Sequence, residues 1–562
     1  MTVTMTRRDA IAALTAPGEP YELQDQVVAG RRCRVFVGAP PSLRELFAGT
    51  VSDAEFIVFE DERLSYADAY RQAAAIARVL VDHYGVRPGD RVAISMRNFP
   101  EWITAFTAVT SVGAIAVAMN ALWQAEEMAY GLRDSGARVL FADAERLERL
   151  ARIDGMPDVE VIAVRPAQPD PGYPVLADLI EAVGDCSMPD VAVAADDPAT
   201  IFYTSGSTGH PKGVVSTHRN ILSALFSWEL DLRAAGLMAG VTPPQPEHQP
   251  ATLLAVPLFH ATGSHAVYLM SYRAQRKLVS MYKWDAALAA ELIERERITQ
   301  FVAPAAMTGD LVRIARETDR DLSSLATVGG GGAPRAPEQV RQIGSSFAKA
   351  LPNTGWGMTE TNAIGTGIGG EEYLQRPASS GRCSAVLELK VVSPDGTELP
   401  PGERGELLVR GTSLFHGYWN RPDVNEEVFV DGWFRTGDVA YLDDEGYLFI
   451  VDRIKDLIIR GGENIGCGEV EAALLTHPQV REAAVYAVPD ERLGEEVGAT
   501  VHGSAELDVD ALRDYLGEHL ARFQIPRYLT VTPDPLPRTA SGKILKRELK
   551  EAAVAKIAAG EH

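Results

Sequence analysis

The hydrophobic and polar positions of this chain follow helical and strand periods in turn along most of its length. Apolar residues recur with a helical period over residues 66–81, and short apolar runs at 91–96 and Val139–Asp143 are typical of buried strands. A further strand at 199–203 leads into a glycine-rich loop, and a helix is predicted to start within 220–225. This order predicts an α/β fold, in which helices cover the faces of β-sheets.

One apolar stretch has the length of a membrane-spanning helix. Residues 102–125 contain no charged side chain, although several threonines, an asparagine and a glutamine lower the hydrophobicity. We interpret the stretch as a buried helix at about 101–112, a break at Gly113 and a buried strand through Ala118. The sequence therefore predicts a core element here and no transmembrane segment.

The texture of the chain changes after residue 385. Short strands at 388–392 and 406–410 flank the turn 394–396, which predicts a small β-subdomain. A charged stretch at 452–456 then precedes a compact tail of alternating helices and strands. The predicted domains are an N-terminal leader at 1–50, a large domain at 51–452, and a small mobile C-terminal domain at 453–562 with a hinge near Lys455.

Composition and charge narrow the class of protein. The chain has 562 residues, of which 46% are hydrophobic and 23% charged. It carries 54 Lys and Arg against 77 Asp and Glu, a formal net charge of −23. This excess argues against nucleic acid or an anionic membrane as the main partner. The cysteines are scattered without CxxC spacing, so we predict no disulfide framework or zinc site and a cytoplasmic location.

The most informative segment is the loop at 203–213, Tyr-Thr-Ser-Gly-Ser-Thr-Gly-His-Pro-Lys-Gly. Glycines allow the backbone to approach a ligand closely, and backbone N–H groups with hydroxyls can surround phosphate oxygens. Lys212 adds a positive charge. The loop is not a Walker A motif, because His210 and Pro211 separate Gly209 from the lysine. Alone, it indicates either a phosphate site or a Ser/Gly surface loop.

Two further segments carry residues suited to a nucleotide. In 353–360, Trp356 offers a flat face for a base, and Glu360 offers a hard oxygen ligand for Mg²⁺. In 433–438, the carboxylate of Asp438 could accept two ribose hydroxyls. The structural alternatives are a turn with a core tryptophan and an aspartate that caps a turn.

Cations and glycines recur in the last part of the chain. Arg453 and Lys455 lie on the predicted domain boundary, and a Gly-Gly turn follows at 460–464. Near the C-terminus, a Ser-Gly turn presents Lys543 as a mobile cation that could reach a reacting carboxylate. Taken singly, these segments could be a solvated linker, a common turn and a basic tail.

Together, these six motifs occur in the order of the adenylate-forming superfamily, which the chain resembles from about residue 64 to residue 550. That superfamily contains acyl- and aryl-CoA synthetases, firefly-type luciferases and the adenylation domains of peptide synthetases. The resemblance implies an acyl-CoA synthetase-like α/β fold. A large N-terminal domain of helix-covered sheets with a small β-subdomain would be joined by a hinge to a small α+β C-terminal domain.

The resemblance also implies a role for each matched position. The catalytic set would be Lys543, Thr204, Glu360 and His260, with Glu360 and Thr204 holding Mg²⁺. The phosphate loop for ATP would be Thr204, Ser205, Gly206, Ser207, Thr208, Gly209 and Lys212. The remaining walls of the nucleotide site would be Gly332, Ala333, Pro334, Asn353, Gly355, Trp356, Gly357, Met358 and Thr359. Ribose, hinge and pantetheine contacts would come from Asp438, Arg453, Lys455, Gly461 and Gly462.

Three departures from the family pattern concern positions in or beside these motifs. Trp356 stands where a tyrosine is usual, Arg460 replaces a small residue, and 466–468 reads Gly-Cys-Gly in place of Tyr-Pro-Ala. The last two changes put the docking of the small domain and details of the CoA contact in question. They leave the adenylation residues in place.

The implied activity is an ATP-dependent, AMP-forming acid–CoA ligase that uses ATP, Mg²⁺ and coenzyme A. No acidic residue lies between 257 and 282, where amino-acid-activating relatives carry an aspartate, so an uncharged acyl or aryl group is favoured. Gly357, the glycines at 329–332, Ala305 and Ala306 suggest a roomy pocket. We therefore expect a medium- to long-chain fatty acid or a bulky ring-bearing acid.

Other readings stay open at this point. The acceptor could be a free-standing acyl carrier protein in place of CoA, and a luciferase-like oxygenase shares every motif. A P-loop-type ATPase or kinase would consume ATP without needing an acid. A binding scaffold without catalysis should lack Lys543 or Glu360, and the chain has both. The oligomeric state is open between a monomer and a homodimer.

Overall fold

The computed structural model describes most of the chain. Its described ranges are 5–204, 210–240, 246–331, 335–461, 463–504, 507–539 and 542–559. The predicted site residues Ser205, Gly206, Ser207, Thr208, Gly209, Gly332, Ala333, Pro334 and Gly462 lie outside the described residues.

The predicted leader is packed onto the rest of the chain. Helix Arg7–Leu14 starts at a capping box made by Thr6 and packs against the long helix His218–Ala239, where Arg7 and Asp231 form a 2.7 Å ion pair. A hairpin follows, with strands Leu23–Val28 and Arg31–Phe36.

The first large sheet has seven strands with a parallel centre. In spatial order its strands are Gly417–Tyr418, Lys212–Thr217, Pro198–Thr204, Ile115–Ala118, Arg91–Ser95, Val139–Asp143 and Glu160–Val164. The five strands from Pro198–Thr204 to Glu160–Val164 run parallel, and the other two pair antiparallel. Lys212–Thr217 and Pro198–Thr204 therefore form a hairpin whose connection is the predicted phosphate loop.

The second large sheet has a parallel half and an antiparallel half. Its parallel strands in spatial order are Leu351–Thr354, Thr327–Gly330, Gln300–Ala303, Ala251–Leu254, Lys277–Ser280 and Glu55–Phe59, with Glu62–Ser65 antiparallel at the edge. Its antiparallel half contains Leu387–Val392, Gly405–Gly411, Trp433–Leu442, Tyr447–Arg453, Gly381–Cys383 and Thr366–Gly369, with Phe429–Val430 alongside. The antiparallel half is the predicted β-subdomain.

Helices cover both large sheets. They are Leu43–Ala48, Tyr66–Arg78, Pro100–Ser111, Ala125–Ser135, Ala144–Leu150, Leu176–Val183, His218–Ala239, Met270–Ala274, Ala286–Glu296, Ala305–Glu317, Pro337–Ser346, Gly370–Gln375 and Pro422–Val428. Wide π-type turns occur at Val79–His83 and Thr262–Leu269, and 3₁₀ turns at Thr359–Thr361 and Ile454–Asp456.

The small C-terminal sheet starts after the turn Ile454–Asp456. Its strands are Glu463–Ile465, Ile458–Arg460, Gly494–Gly503, Val480–Asp490 and Tyr528–Thr532, and its helices are Cys467–Leu474, Val509–Gly517 and Lys546–Ala558. A separate apolar cluster, which includes Ile458, Val470 and Leu512, lies between this sheet and its helices. An apolar core of its own is what a small domain needs to hold its shape.

The predicted α/β fold with a large and a small part is confirmed. The predicted helix 66–81 is Tyr66–Arg78 followed by a π-type turn, and the strand Val139–Asp143 has the predicted bounds. The apolar stretch forms the buried helix Pro100–Ser111, a break at Gly113 with φ +70°, and the strand Ile115–Ala118. Within the described part of the chain, no helix is both long and apolar enough to cross a membrane.

Candidate active site

Asp438 lies in the middle of a strand, and its neighbour on the adjacent strand is a cationic residue. Asp438 in Trp433–Leu442 is directly opposite Arg453 in Tyr447–Arg453. Nε of Arg453 is 2.6 Å from Oδ1 of Asp438, and Nε1 of Trp356 donates to Oδ2 at 2.8 Å. Burial raises the pKa of Asp438, while Arg453, Trp356 and Lys543 act to lower it. The strand thus presents a carboxylate that is held by one hydrogen bond and one ion pair.

Trp356 occupies a narrow position beside the backbone of the next strand. The main-chain N–H of Trp356 donates to the Thr366 hydroxyl at 3.0 Å, and the main-chain carbonyl of Trp356 accepts from the Thr366 N–H at 2.9 Å. A Cβ atom at Gly365 would lie 2.4 Å from Cε3 of the indole, so only glycine leaves room for this packing. The residue is 8% exposed. The backbone therefore sets the direction in which the indole N–H points.

Glu360 is a buried carboxylate with a tyrosine donor. It lies in the turn Thr359–Thr361 and is 6% exposed, and the Tyr418 hydroxyl donates to its Oε1 at 2.7 Å. Burial raises the pKa of Glu360, while the Tyr418 bond and the charge of Arg453 act to lower it. A buried carboxylate of this kind is suited to a cation that would keep it ionised.

The described ends of the phosphate loop are held in place. Thr204 and Lys212 are cross-strand partners, and the Thr204 hydroxyl lies 3.4 Å from the Lys212 carbonyl oxygen. Nζ of Lys212 lies 5.1 Å from the centroid of the Tyr418 ring, a cation–π distance. On the outer side, Tyr130 stacks on His210 at 4.4 Å between ring centroids.

A hydrogen-bonded group anchors that outer side. Tyr130 donates to the Pro211 carbonyl at 3.0 Å and accepts from Arg421 at 2.9 Å. Asp134 accepts from both Arg421 and Tyr203, each at 2.8 Å. The loop thus leaves and re-enters the sheet at a firmly bonded point.

Lys543 belongs to a turn of the small domain that reaches the large domain. The N–H of Gly542 donates to the Thr539 carbonyl at 2.9 Å, and Arg538 donates to the Gly542 carbonyl at 2.6 Å. A Cβ atom at Gly542 would lie 3.8 Å from Cβ of Pro304 and 3.9 Å from Cβ of Ala306. The turn therefore rests on the start of helix Ala305–Glu317, in the large domain.

The charges around Lys543 are those of the other candidate residues. The residue is exposed by solvent-accessible area, yet nearby protein atoms partly desolvate the ammonium group and lower its pKa. Arg453 and Lys455 lower that pKa further, and Asp438 and Asp456 act to raise it. The small domain thus places its lysine near the Asp438–Arg453 pair.

The charge of Lys543 also acts on the pKa of His260. Burial, with a smaller contribution from the charge of Lys543, lowers the pKa of His260 to about 4. The imidazole is therefore neutral at pH 7. It lies just before the wide turn Thr262–Leu269, and the Ser264 hydroxyl donates to the His260 carbonyl at 3.1 Å.

The hinge and the glycine turn lie on the small-domain side. Lys455 is exposed in the turn Ile454–Asp456, and desolvation lowers its pKa. Gly461 has φ +60° and its N–H donates to the Leu493 carbonyl at 2.8 Å. A left-handed conformation there favours glycine.

The two unusual positions near the hinge are explained by contacts within the chain. Arg460 forms a 2.7 Å ion pair with Glu496, which is 2% exposed. The buried Cys467 is held by Asp452, because its main-chain N–H donates to Oδ2 of Asp452 at 2.5 Å. The Cys467 thiol lies 3.2 Å from the Asp456 carbonyl oxygen. Arg460 and Cys467 therefore serve the packing of the small domain and its boundary.

Most of the glycines that suggested a roomy pocket lie close to other atoms of the protein and do not border open space. A Cβ at Gly357 would lie 2.4 Å from the Ala363 carbonyl oxygen, and one at Gly329 would lie 2.3 Å from Oδ1 of Asn353. A Cβ at Gly330 would lie 2.5 Å from the guanidinium of Arg335. Among these four described positions only Gly331 could carry a Cβ without crowding a described atom, with Cγ2 of Thr262 in ordinary contact at 3.9 Å. Close packing against a backbone carbonyl at Gly357, and against side chains at Gly329 and Gly330, therefore accounts for the first three.

Sequence reasoning missed two residues. Tyr418 bonds Glu360 and lies over Lys212, but 58 residues separate it from Glu360 and no pattern in the sequence connects them. Arg335 is 8% exposed and donates to the Thr308 hydroxyl at 3.1 Å, while its Nε has no partner among the described residues. For Arg335, the only signal in the sequence was an arginine close to a run of glycines.

The chain is similar to known proteins over most of its length. The AMP-binding enzyme family matches residues 44–419, and the AMP-binding enzyme C-terminal domain matches residues 469–543. A long-chain-fatty-acid–CoA ligase of Mycobacterium tuberculosis is 34% identical over 502 residues, which cover 87% of this chain and 93% of that protein. A feruloyl-CoA synthase of an Amycolatopsis species is 35% identical over 499 residues, with the same coverage of 87% and 93%.

Solved structures are similar over almost the whole chain. The o-succinylbenzoate CoA synthetase of Bacillus subtilis, in complex with its acyl-adenylate intermediate, has a TM-score of 0.76 and 30% identity and covers 91% of this chain and 98% of its own. The anthranilate CoA ligase AuaEII, in complex with anthranoyl-AMP, has a TM-score of 0.82 and 25% identity, and covers 93% and 99%.

Proposed function

The chain belongs to the AMP-binding enzyme family, and on this premise we propose that it is an ATP-dependent, AMP-forming acid–CoA ligase. One observation carries the proposal. The charges of Asp438 and Arg453 act on the pKa of Lys543, near the end of the chain, and the charge of Lys543 acts on the pKa of His260, which supports a site that these residues share. A ligase that joins two anions needs such a movable cation at the nucleotide.

The first half-reaction joins the acid to AMP. An oxygen of the substrate carboxylate attacks the α-phosphorus of ATP, a P–O bond forms, and the bond to pyrophosphate breaks. Both reactants are anions, so positive charge must be in place beforehand. We assign that task to Lys543 on the acid side and Lys212 on the phosphate side. His260 is neutral at pH 7 and can contact the acid without adding charge.

The nucleotide would be held by residues of the large domain. Asp438 would accept the ribose hydroxyls and Trp356 would lie against the base, while Thr204 and Thr359 would contact phosphate. Glu360 fits Mg²⁺, because its buried carboxylate has a raised pKa and a cation would favour the ionised form. When bound, Mg²⁺ neutralises charge on the phosphate oxygens.

The second half-reaction transfers the acyl group to coenzyme A. The thiol loses its proton, its sulfur attacks the acyl carbonyl carbon, and the bond to AMP breaks. The turn that carries Lys543 rests on the large domain, where it would stand in the way of the thiol. We therefore propose that the small domain rotates at Lys455 and withdraws the lysine. Gly461 and Gly462 would then lie beside the pantetheine arm.

The acid that we propose is a medium- to long-chain fatty acid or a bulky ring-bearing acid. The relatives named above act on both kinds, according to their names. The absence of acidic side chains between 257 and 282 in the sequence supports an uncharged acyl or aryl group. Gly331, where an added Cβ would make only an ordinary contact with Thr262, supports a bulky substituent.

A panel of acids tests the proposal. Pyrophosphate release from ATP is measured with straight-chain acids of graded length and with benzoic and cinnamic acids, each with and without CoA. We expect release that depends on the acid, and a thioester product only with CoA. Acid-independent phosphate release would identify an ATPase instead. Thioester formation on an acyl carrier protein, but not on CoA, would identify the alternative acceptor.

Two finer points belong to the same proposal. We propose a cytoplasmic location, which the four free cysteines Cys33, Cys186, Cys383 and Cys467 support. Cell fractionation tests it, and recovery in the membrane or secreted fraction would contradict it. The choice between monomer and homodimer is tested by light scattering of the purified enzyme at two concentrations.

A further inference from the structure

The carboxylate of Asp438 is held by two side chains that come from different elements. Nε of Arg453 forms an ion pair with Oδ1 at 2.6 Å, and the indole N–H of Trp356 donates a hydrogen bond to Oδ2 at 2.8 Å. Asp438 is 3% exposed and Trp356 is 8% exposed, so water competes little for the indole bond. Oδ2 therefore has a directional hydrogen bond from the indole, while Oδ1 has the charge of Arg453 beside it.

This arrangement leaves a defined set of acceptor positions. A carboxylate has about four lone-pair positions, two on each oxygen. The Trp356 bond takes one position on Oδ2, and the ion pair with Arg453 lies against Oδ1, so acceptor positions remain on both oxygens. Two neighbouring hydroxyls of a ribose ring need one acceptor each, at a fixed spacing. A carboxylate free to rotate would meet that spacing only part of the time.

We propose that Trp356 is a positioning residue for the ribose, in addition to any contact of its ring with the base. Its N–H holds Oδ2 of Asp438 so that the carboxylate presents both free lone pairs to the 2′- and 3′-hydroxyls of ATP. The inference rests on the proposed function, since it needs a nucleotide at Asp438. A tyrosine or phenylalanine ring could lie against a base in the same place but has no N–H at this position.

The packing of the indole supports a positioning role. A Cβ at Gly365 would lie 2.4 Å from Cε3 of the indole, so the glycine at this position lets the ring pack closely against the neighbouring backbone. The two main-chain bonds with Thr366 fix the backbone from which the ring extends. The direction of the N–H is therefore set by the fold and does not depend on a bound ligand.

Ribose analogues separate this role from stacking. The Michaelis constants for ATP and for 2′,3′-dideoxyATP are measured in pyrophosphate exchange for the wild type, Trp356→Phe and Trp356→Tyr. A weaker stacking contact raises both constants equally and cancels in their ratio. We expect the preference for ATP over the dideoxy analogue to fall about tenfold in both variants, with kcat changed less than about threefold.

Trp284→Phe is the matched control. Trp284 donates its Nε1–H to Oδ2 of Asp310 at 2.9 Å and stacks on Phe301, away from the residues described above. This change removes the same type of bond, so we expect it to leave the ribose preference unchanged. Thermal unfolding of all variants shows whether each is folded. A ribose preference that survives in folded Trp356→Phe would overturn the inference.

Direct binding separates this inference from the proposed function. Calorimetry with AMP and 2′,3′-dideoxyAMP measures the same preference without any acid. Wild-type protein that binds neither ligand contradicts the proposed function itself. Wild-type protein that prefers AMP, together with a Trp356→Phe variant that keeps that preference, contradicts only the role of the indole N–H.

Discussion

The hydroxyl of Tyr418 donates a 2.7 Å hydrogen bond to Oε1 of Glu360, and the same ring lies 5.1 Å from Nζ of Lys212. One side chain thus contacts the candidate Mg²⁺ ligand and the lysine of the phosphate loop. Its own pKa is raised, first by burial and then by the charge of Glu360. Tyr418 therefore stays protonated and remains a donor at any physiological pH.

We expect removal of that hydroxyl to weaken the binding of Mg²⁺ and of ATP. Tyr418→Phe keeps the ring beside Lys212 and removes a bond to a charged group, which contributes about 1.5–3 kcal/mol. We expect the Mg²⁺ concentration for half-maximal pyrophosphate exchange to rise about tenfold. Tyr441→Phe, elsewhere in the β-subdomain, serves as the control. An unchanged Mg²⁺ titration in Tyr418→Phe would contradict the assignment of Glu360.

Lys543→Ala should separate the two half-reactions. Loss of a preplaced cation typically lowers the rate about 10²–10³-fold, and this loss should fall on acid-dependent ATP–pyrophosphate exchange. Conversion of a synthetic acyl-AMP and CoA to thioester should be retained, since Lys543 is withdrawn for that step. Lys556→Ala removes an exposed lysine from the C-terminal helix and should affect neither half-reaction. Equal loss of both in Lys543→Ala would count against the proposed rotation.

The lowered pKa of Lys543 predicts an alkaline limit for adenylation. Adenylation needs the ammonium form, so pyrophosphate exchange should fall as pH rises through a pKa below the ordinary value of 10.5. In Lys543→Arg the guanidinium stays protonated, so the decline should move to higher pH even where the maximal rate is lower. The pH profile of exchange is the measurement. The same alkaline limit in both enzymes would show that another group causes it.

Two glycine substitutions should separate pocket size from backbone packing. Alanine at Gly357 would bring its Cβ within 2.4 Å of the Ala363 carbonyl, so the backbone must shift. We expect Gly357→Ala to lower the free energy of unfolding by about 1–3 kcal/mol and to reduce activity on all acids alike. Thermal unfolding and kcat/KM over the acid panel measure the two effects.

Alanine at Gly331 should act differently, because the nearest atom to its Cβ is 3.9 Å away in Thr262. We expect Gly331→Ala to fold normally and to lower kcat/KM for bulky acids more than for short ones. An equal effect of Gly331→Ala on every acid would show that this position does not face the acyl group.

Local patterns in the sequence were sufficient for the fold and for naming candidate site residues. Hydrophobic periods predicted the strand Val139–Asp143 and the helix that begins at Tyr66, because period and burial are local properties of the chain. The motifs identified Asp438, Glu360 and Lys543 as candidates, since each requires a particular chemical group near glycines or in a turn. Their roles remain predictions that the experiments above test.

Relationships between distant residues were decided only by the tertiary structure. Trp356 and Asp438 are 82 residues apart, and their bond depends on how two strands and a loop pack together. The meaning of Gly357 likewise changed, because the space beside its Cα is filled by the carbonyl of Ala363 and not by a pocket. Sequence periodicity records which face of an element is buried, but it does not record what that face meets. Contacts across such separations follow from chain packing, and packing is a property of the whole molecule.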